Sequence, residues 1–311
     1  MLILQLLSDP GLGHCNRIIR YSRTEYAKMK QSIILVPDCR KIIAYLTNQK
    51  VHNFLIYSVH KPLQELIQLL ENKLDFKEIK EWVIDTKLDC SDLLYLLKKR
   101  KVFSTLIDNK TDSRFLSNKN IYPTPLFEKS ELDWVGYNGI VEGGFDTDIL
   151  RSLSSLKKKH KQKKKQRKEV LISFGGEDPN QLTNYTMKSL FHLEAEVEIT
   201  VVIGPLFRHK KEIQELNVEL EKRYKFIENS FDLSQFILNA DCLITAVGAT
   251  IFEGLVLGTP CIVISNFLSD NLDEKKLEKM NNVSVLGYYA NVFENKNFLL
   301  DEVRVILNGP I

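Results

Sequence analysis

Short apolar runs alternate with stretches of helical spacing through the first 108 residues. The apolar runs have the length of buried strands and are LILQLL (2–7), SIILVP (32–37), FLIYS (54–58), EWVID (81–85) and VFSTLID (102–108). Segments with apolar residues three and four positions apart separate them, including RKIIAYL, KPLQELIQLLEN and SDLLYLLKK. Strands that alternate with helices pair in parallel, with helices on both faces of the sheet. This half is therefore predicted to be a doubly wound α/β domain.

The same alternation resumes at residue 169. Its strand-like runs are EVLISFGG (169–176), EITVVIGP (198–205), KFIEN (225–229), DCLITAVG (241–248) and PCIVIS (260–265). Between about 109 and 150 the pattern weakens and turn-forming residues are frequent. We therefore predict two Rossmann-like domains, 1–150 and 169–311, joined by a basic linker or loop at 151–168. Two such sheets facing each other would form a cleft at their strand ends, where ligands of these sheets bind.

The segment KKKHKQKKKQRK (157–168) carries nine Lys or Arg residues and no acidic residue, so the net charge of +3 hides an acidic remainder. Like charges with nothing apolar to bury repel one another, which predicts a solvated linker or loop. A weak contact with an anionic membrane surface is the alternative. No aromatic residue is interleaved with the lysines, so we expect no nucleic-acid partner.

The five cysteines, at positions 15, 39, 90, 242 and 261, are odd in number and form no C-x-x-C pair. Neither a disulfide framework nor a zinc site is expected, and a reducing cytoplasm fits this usage. No acidic D-x-D cluster indicates a cation site, so we predict no metal and no cofactor. No apolar run approaches the roughly 18 residues that a membrane-spanning helix needs. The sequence does not indicate an oligomeric state.

The first candidate site is SDPGLGHCNR (8–17), between the first predicted strand and the first helix. Gly11 and Gly13 allow a tight turn and leave room for a ligand near main-chain N–H groups, and the helix directs its positive end at a phosphate. His14 would lie in the first helical turn, where an imidazole can take a proton from water or a hydroxyl. The alternative is a simple turn followed by a polar residue at the helix N-terminus.

The second candidate site is SFGGEDPN (173–180), which follows the first strand of the second half. Gly175 and Gly176 come directly after a buried strand and would let a substrate approach the backbone. Asp178 is predicted to cap a helix, with Pro179 at the first helical position.

The third candidate site lies in ADCLITAVGATIFEGLVLGTPCIVIS (240–265), where a small-residue turn joins a buried strand to a helix. The backbone amides at Gly248, Ala249 and Thr250 can hold a diphosphate, and Glu253, one turn further on, can accept both hydroxyls of a ribose. An ordinary first-turn glutamate is the alternative for Glu253. Asn271 precedes the next helix, where it would cap that helix or reach a sugar or phosphate.

The order of GLGHCNR, LISFGGEDPNQLT, ADCLITAVGATIFEGLVLGTPCIVI and SDNLDEKKLEKM along the chain resembles that of the UDP-sugar hydrolases of the pseudaminic acid pathway and their spore-coat polysaccharide relatives. These proteins are similar in turn to the glycosyltransferases that add N-acetylglucosamine to the peptidoglycan lipid precursor. The resemblance spans both halves and is weakest at about 109–168. It implies the GT-B fold, with two Rossmann-like domains facing across a cleft, and a UDP-sugar ligand.

The resemblance also implies a role for each matching residue. His14 would be the general base that activates water at the anomeric carbon. The nucleotide-sugar-binding set that it implies is Gly11, Gly13, Arg17, Gly175, Gly176, Phe226, Ile227, Gly248, Ala249, Thr250, Glu253 and Asn271. Within this set Gly248 to Thr250 would hold the diphosphate, Glu253 the ribose, and Phe226 and Ile227 the uracil, mostly by main chain.

Hydrolysis of a UDP-linked sugar with inversion at the anomeric carbon is the activity that the resemblance implies. Three departures bear on it. Asp85-Thr86-Lys87 stands where the hydrolases have Asp-His-Tyr, Asn271-Leu272 where they have Asn-Gln, and the lysine run where they have Asp-Gln-Asn. An inverting glycosyltransferase that uses the same donor is the alternative within enzymes, and a non-catalytic nucleotide-sugar binder is the alternative from another class.

Overall fold

The computed structural model of the protein describes residues 1–6, 12–24, 31–48, 50–58, 67–68, 70–72, 76–159, 167–204, 207–228, 230, 232–295 and 297–309. The chain divides into two compact units, Met1–Ser152 and Leu153–Ile311. Each unit is built on a parallel sheet with helices, so the predicted α/β class with two doubly wound domains is confirmed.

The first unit contains a parallel sheet of seven strands among its described residues. They are β1 (Leu2–Leu6), β2 (Ser32–Pro37), β3 (Phe54–Tyr57), β4 (Glu81–Asp85), β5 (Phe103–Ile107), β6 (Lys119–Tyr122) and β7 (Ile140–Gly143). Their spatial order is β3-β2-β1-β4-β5-β6-β7. The strand order therefore reverses between β1 and β4, which is where ligands of open parallel sheets bind.

The helices that accompany this sheet are α1 (Leu12–Ser22), α2 (Arg40–Asn48), α3 (Ser91–Lys99) and α4 (Asp148–Lys159). In α1 the fully buried side chains of Cys15 and Ile18, with Ile19, recur at helical spacing and anchor one face of the helix to the sheet. Trp82 is fully buried on β4 and donates its indole N–H to Gln5 Oε1 on β1 at 2.8 Å. These contacts fix α1 and β4 relative to β1.

The second unit contains a parallel sheet of six strands within the part that the structure describes. They are β8 (Glu169–Ser173), β9 (Glu198–Ile203), β10 (Lys225–Glu228), β11 (Cys242–Thr245), β12 (Cys261–Ser265) and β13 (Val283–Tyr288). Their order is β10-β9-β8-β11-β12-β13, which reverses between β8 and β11. The helices are α5 (Leu182–Ser189), α6 (Lys210–Glu219), α7 (Ser234–Asn239), α8 (Ala249–Leu257), α9 (Asn271–Leu277), α10 (Tyr289–Glu294) and α11 (Phe298–Asn308).

The predicted linker at 151–168 begins as helix, because α4 continues to Lys159. Its apolar residues Ile149, Leu150 and Leu153 are 3 to 4 % exposed and recur at helical spacing, so the helix continues into the first lysines of the basic run. Residues 160–166 of that run lie outside the described residues. Most of the predicted helix KPLQELIQLLEN also lies outside them.

Six elements are absent from the sequence-based prediction: β6, β7, β13, α4, α10 and α11. The two strands in the first unit are four residues long and carry polar or glycine positions, so they lack a strand-like apolar run. All six residues of β13 are only half-buried. These strands form because buried neighbours supply the pairing partners, which local sequence does not reveal.

Candidate functional site

The first candidate site lies at the reversal point of the first sheet, where α1 follows β1 and β4 ends. Gly13 is exposed in the first turn of α1, and a Cβ built on it would have no atom within 4 Å. Its small size is therefore not required by packing among the described residues. Gly11 lies outside the described residues, so its predicted role stays a prediction.

His14 contacts the carboxylate that ends β4. Its Nδ1 lies 2.6 Å from Asp85 Oδ1. The Asp85 side chain is fully buried, whereas His14 is 21 % exposed. An Nδ1–H that donates to this carboxylate leaves Nε2 as the basic nitrogen of the imidazole, which is the arrangement a general base needs.

Arg17 holds the same carboxylate from one helical turn further on. Its Nε donates to Asp85 Oδ2 at 2.6 Å and its Nη2 to Asp85 Oδ1 at 2.7 Å, a bidentate pair. Its Nη1 donates to Asp108 Oδ2 at 3.1 Å, and its Nη2 lies 3.0 Å from His14 Nδ1. Arg17 was predicted as a nucleotide-sugar-binding residue, and the contacts that the structure gives it are with these side chains.

The electrostatics of this network keep its ion pair charged. Burial alone would raise the pKa of Asp85, but the charge and hydrogen bonds of Arg17, together with His14, outweigh it and hold that pKa below its ordinary value. Burial would likewise lower the pKa of Arg17, and Asp85 and Asp108 outweigh it in the opposite direction. Asp85 is thus a carboxylate and Arg17 a guanidinium at neutral pH.

The loop after β4 is held in place by Asn109, which is 1 % exposed. Its side-chain amide donates to the carbonyls of Thr86 at 3.0 Å and Leu88 at 2.8 Å. Lys87 lies between them with its side chain 69 % exposed and its Nζ 3.9 Å from Asp108 Oδ2. The loop therefore presents a cation beside the His14 network from a fixed backbone.

Two of these residues, Asp85 and Asp108, were missed as site residues by the sequence analysis. The signal was present: the predicted strands EWVID and VFSTLID both end in aspartate. Since β4 and β5 are neighbours in a parallel sheet, their carboxyl ends share one edge. Two acids at the ends of adjacent buried strands predict a charged site at that edge.

The second candidate site lies after β8, at the reversal point of the second sheet. Gly175 has a φ of +83°, a conformation that favours glycine, and a Cβ on Gly175 or Gly176 would meet no atom within 4 Å. Gly204, at the end of β9, faces this turn. A Cβ on Gly204 would lie 2.4 Å from the Gly175 carbonyl oxygen and 2.6 Å from that of Gly176. The close approach of the two loops therefore requires glycine at 204.

Asp178 was predicted to be the N-cap of this helix, but the N-cap position is Gln181, three residues later, and the Asp178 side chain reaches forward to the first turn of α5. Its carboxylate is 1 % exposed and accepts hydrogen bonds from the backbone N–H of Leu182 at 2.8 Å and of Thr183 at 2.9 Å. Burial raises the pKa of Asp178, against the effect of these bonds. The prediction that Pro179 is the first helical residue is wrong, because α5 begins at Leu182. A positive φ at both Asp178 and Gln181 turns the chain before the helix can start.

The third candidate site is the start of α8, which follows β11 at the same reversal point. Gly248 directly precedes the helix, Ala249 is exposed and Thr250 is half-buried. A Cβ on Gly248 would meet no atom within 4 Å. The first turn of α8 therefore offers backbone N–H groups with open space in front of Gly248, which is the arrangement that binds a phosphate.

Glu253 is 8 % exposed and lies one turn into α8. That burial argues against the alternative of an ordinary solvated first-turn glutamate. The next residue, Gly254, lets α8 approach the sheet closely, because a Cβ there would lie 2.7 Å from Cys261 Sγ and 2.9 Å from Leu243 Cδ2. Glu253 is thus carried by a helix that is fixed against β11 and β12.

The remaining predicted site residues of the second unit differ in burial. Phe226 and Ile227 are half-buried on β10, and Phe226 packs against the hydrophobic core. Asn271 begins α9 and is exposed, and Leu272 beside it is 72 % exposed. The prediction that Asn271 caps this helix is wrong, because the N-cap residue is Asp270 and Asn271 is the first helical residue. Its predicted contact with a sugar or phosphate stays a prediction.

Two kinds of feature are absent from the part of the chain that the structure describes. It holds no group of three or more His, Cys, Asp or Glu side chains that could bind a metal ion. It also holds no helix that is both long and apolar enough to cross a membrane.

Comparisons of sequence identify two relatives, while no protein-family model matches the chain. An uncharacterized protein of Methanocaldococcus jannaschii is 35 % identical over 104 residues, which is 33 % of this chain and only 22 % of that protein. The spore coat polysaccharide biosynthesis protein SpsG of Bacillus subtilis is 24 % identical over 267 residues, covering 83 % of this chain and 74 % of SpsG. The match to the first relative thus spans about a fifth of its length.

Solved structures resemble the whole chain. MurG of Acinetobacter baumannii superposes with a TM-score of 0.63 at 13 % identity, covering 98 % of this chain and 91 % of MurG. The UDP-GlcNAc 2-epimerase of Neisseria meningitidis, solved with UDP-GlcNAc, superposes with a TM-score of 0.62 at 14 % identity, covering 99 % and 92 %. At these identities the likeness is one of fold.

Proposed function

We propose that this chain, which has the GT-B fold of glycosyltransferase-like proteins, is an inverting glycosyltransferase that uses a UDP-sugar donor. The observation that carries the proposal is the 2.6 Å contact between His14 Nδ1 and the buried Asp85 carboxylate. It prepares one imidazole as a base at the carboxyl edge of the first sheet. The names of the relatives support the donor: SpsG acts in polysaccharide biosynthesis, and the epimerase was solved with UDP-GlcNAc.

In the proposed reaction, His14 Nε2 removes the proton from an acceptor hydroxyl as that oxygen attacks the anomeric carbon of the donor. The bond from the anomeric carbon to the diphosphate breaks on the opposite face, so the configuration of the sugar is inverted. The imidazolium that forms is stabilised by Asp85, which stays ionised because Arg17 holds it.

We propose that the second unit holds the donor. Negative charge grows on the leaving diphosphate, and the N–H groups of the first turn of α8, at Gly248 to Thr250, would stabilise it. Glu253 would accept hydrogen bonds from the ribose hydroxyls. Gly175 and Gly176 leave open space beside the same strand ends, and Asn271 would contact the sugar or phosphates.

Hydrolysis, in which water replaces the acceptor hydroxyl, would use the same base and the same donor contacts. The name of the relative SpsG supports transfer, because a polysaccharide is built by joining sugars and not by releasing them into water. Pseudaminic acid synthesis as the biological setting stays a prediction from the resemblance alone.

Incubation with a panel of UDP-sugars tests the proposal. We expect UDP to be released only when an acceptor is added, with monosaccharides and polyprenyl-phosphate-linked sugars as the acceptors supplied. His14→Gln should lower UDP release by about 10²-fold or more, since a positioned general base contributes on that order. Calorimetric titration should show unchanged affinity for UDP.

His52→Gln is the matched control, because His52 is exposed in the same unit. It should leave both turnover and UDP affinity unchanged. Rapid UDP release without acceptor would identify a hydrolase instead. Tight UDP binding with no turnover in wild type or in the His14→Gln variant would identify a non-catalytic binder.

A further inference from the structure

Four charged or chargeable side chains form one connected network at the end of β4 and β5. Asp85 joins His14 to Arg17, and Arg17 joins both of them to Asp108. Asp85 and Arg17 carry opposite charges in a bidentate pair, so their net charge is zero. Asp108 then supplies the negative charge that the pair alone lacks.

This charge balance matters most for His14. Its Nδ1 lies 3.0 Å from the guanidinium Nη2 of Arg17, a contact that opposes a positive charge on the imidazole. Without Asp108, a protonated His14 would leave one uncompensated positive charge in a network whose Asp85 is fully buried. With Asp108, the network goes from a net charge of −1 to zero when His14 takes up a proton.

The structure also shows how Asp108 is fixed. It directly follows β5 with a φ of +56°, a conformation that few residues other than glycine adopt, although aspartate tolerates it. Its backbone N–H donates to the Ile121 carbonyl on β6 at 2.9 Å, and its side chain is 18 % exposed. An uncommon backbone conformation held between neighbouring strands aims this carboxylate at Arg17.

We propose that Asp108 is a positioning residue of the reaction: acting through Arg17, it supplies the second negative charge that lets His14 accept a proton. The proposal rests on the role given above to His14 as the base. It adds a residue that contacts Arg17 and, through Arg17, changes the charge beside the base.

Other charged or titratable groups near the network also affect the electrostatic potential at His14. Lys87 approaches Asp108 from the loop after β4, with its Nζ 3.9 Å from Oδ2, and is mostly exposed, so water screens its charge. On α1 the buried Cys15 thiol is the neighbouring titratable group. Asp9 lies outside the described residues.

Titration of His14 by NMR tests the proposed role of Asp108 without any substrate. The His14 ring signals are assigned by their loss in His14→Gln, and the pH of half-protonation is measured in the full chain. Asp108→Asn, which keeps the size of the side chain, should lower that pH by about half a unit or more, because a charge a few ångströms away acts through partly screened surroundings. Asp112→Asn, at a side chain 92 % exposed elsewhere in the unit, should leave it unchanged.

A double variant separates charge from structure. Arg17→Gln combined with Asp108→Asn returns the network to a net charge of −1, so the pH of half-protonation should rise back toward the wild-type value. The proposal is overturned if Asp108→Asn leaves the midpoint within about 0.2 units of wild type, or if the double variant lowers it further. Circular dichroism confirms that each variant is folded. Since no turnover is measured, loss of the proposed transferase function would leave this result standing.

Discussion

At the scale of single residues, the first candidate site is organised around Asp85, which contacts both His14 and Arg17. This carboxylate is fully buried, yet it is ionised because a guanidinium and an imidazole share its two oxygens. Burial of an ion pair does not by itself stabilise a fold, since desolvation offsets much of the attraction. Its value here is positional: the pair holds Nδ1 of the His14 ring against the carboxylate, and an Nδ1–H that donates to Asp85 leaves Nε2 basic.

Replacement of Asp85 by Asn should destabilise the first unit. The change leaves Arg17, whose side chain is 20 % exposed, with Asp108 as its remaining carboxylate, so we expect a cost of about 2 to 3 kcal/mol for the lost charge-assisted hydrogen bonds. Urea denaturation at pH 7 measures the loss in the free energy of unfolding. Asp112→Asn, at an exposed carboxylate in the same unit, should change it by less than about 0.5 kcal/mol.

The same pair gives the stability of the protein a defined pH dependence. The pKa of Asp85 is lower in the folded protein than its ordinary value of about 3.9, so its contribution is present above pH 4 and is lost as pH falls through the folded value. The difference in unfolding free energy between wild type and Asp85→Asn should therefore shrink as the pH is lowered below about 4. A difference that stays constant down to pH 3 would contradict the assignment.

At the scale of elements, glycines determine two close approaches. One is that of α8 to the sheet, and the other is that of the loop after β9 to the loop after β8. Gly254 and Gly204 are required by contacts, whereas Gly13, Gly176 and Gly248 face open space. Gly254 and Gly204 are therefore needed for the packing of the second unit. Gly13, Gly176 and Gly248 border the surfaces where we propose that substrate binds.

Gly254→Ala should destabilise the second unit by about 1 to 3 kcal/mol, the usual cost of overpacking a core. The added methyl group would lie 2.7 Å from Cys261 Sγ and 2.9 Å from Leu243 Cδ2, between α8 and the sheet. Thermal denaturation followed by circular dichroism measures the change. Gly176→Ala, in the same unit with no atom within 4 Å, should be close to neutral for stability.

Gly204→Ala should lower nucleotide affinity in addition to stability, because its methyl group would clash with backbone atoms of the turn after β8. Its methyl group would displace the Gly175 and Gly176 carbonyls, which begin 2.4 and 2.6 Å away, and would move the turn after β8. We expect affinity for UDP to fall by about tenfold or more, equivalent to roughly 1.4 kcal/mol. Calorimetry with UDP measures it, and unchanged affinity would show that this turn takes no part in nucleotide binding.

At the scale of the whole molecule, hydrophobic periodicity was sufficient to predict two parallel α/β units. The runs SIILVP and EWVID match β2 and β4 residue for residue, because four of the six residues of β2 and all five of β4 are buried. The short strands β6 and β7 were missed, since they owe their pairing to strands already in the sheet. Local spacing carries no information about such partners.

The candidate sites were predictable to the extent that they follow strand ends. His14 and the turn at Gly248 each stand next to a reversal of strand order, which the alternation of elements already implies. Asp85, which contacts His14, and Asp108, which contacts Arg17, were not found as site residues, because they lie 71 and 94 residues after His14 in a chain whose strand order had not been deduced. Contacts across such separations depend on topology, which composition and spacing leave open.

The carboxylate of Asp85, which His14 and Arg17 share, also constrains which substitutions this protein can accept during evolution. A lineage that lost Arg17 or Asp85 alone would pass through an ancestor with a stranded charge in its interior. Such an ancestor would be less stable than either of its neighbours, because one member of the ion pair would lack its partner. The three side chains are therefore expected to persist or vanish as a set, and their joint replacement would mark a branch that abandoned this chemistry altogether.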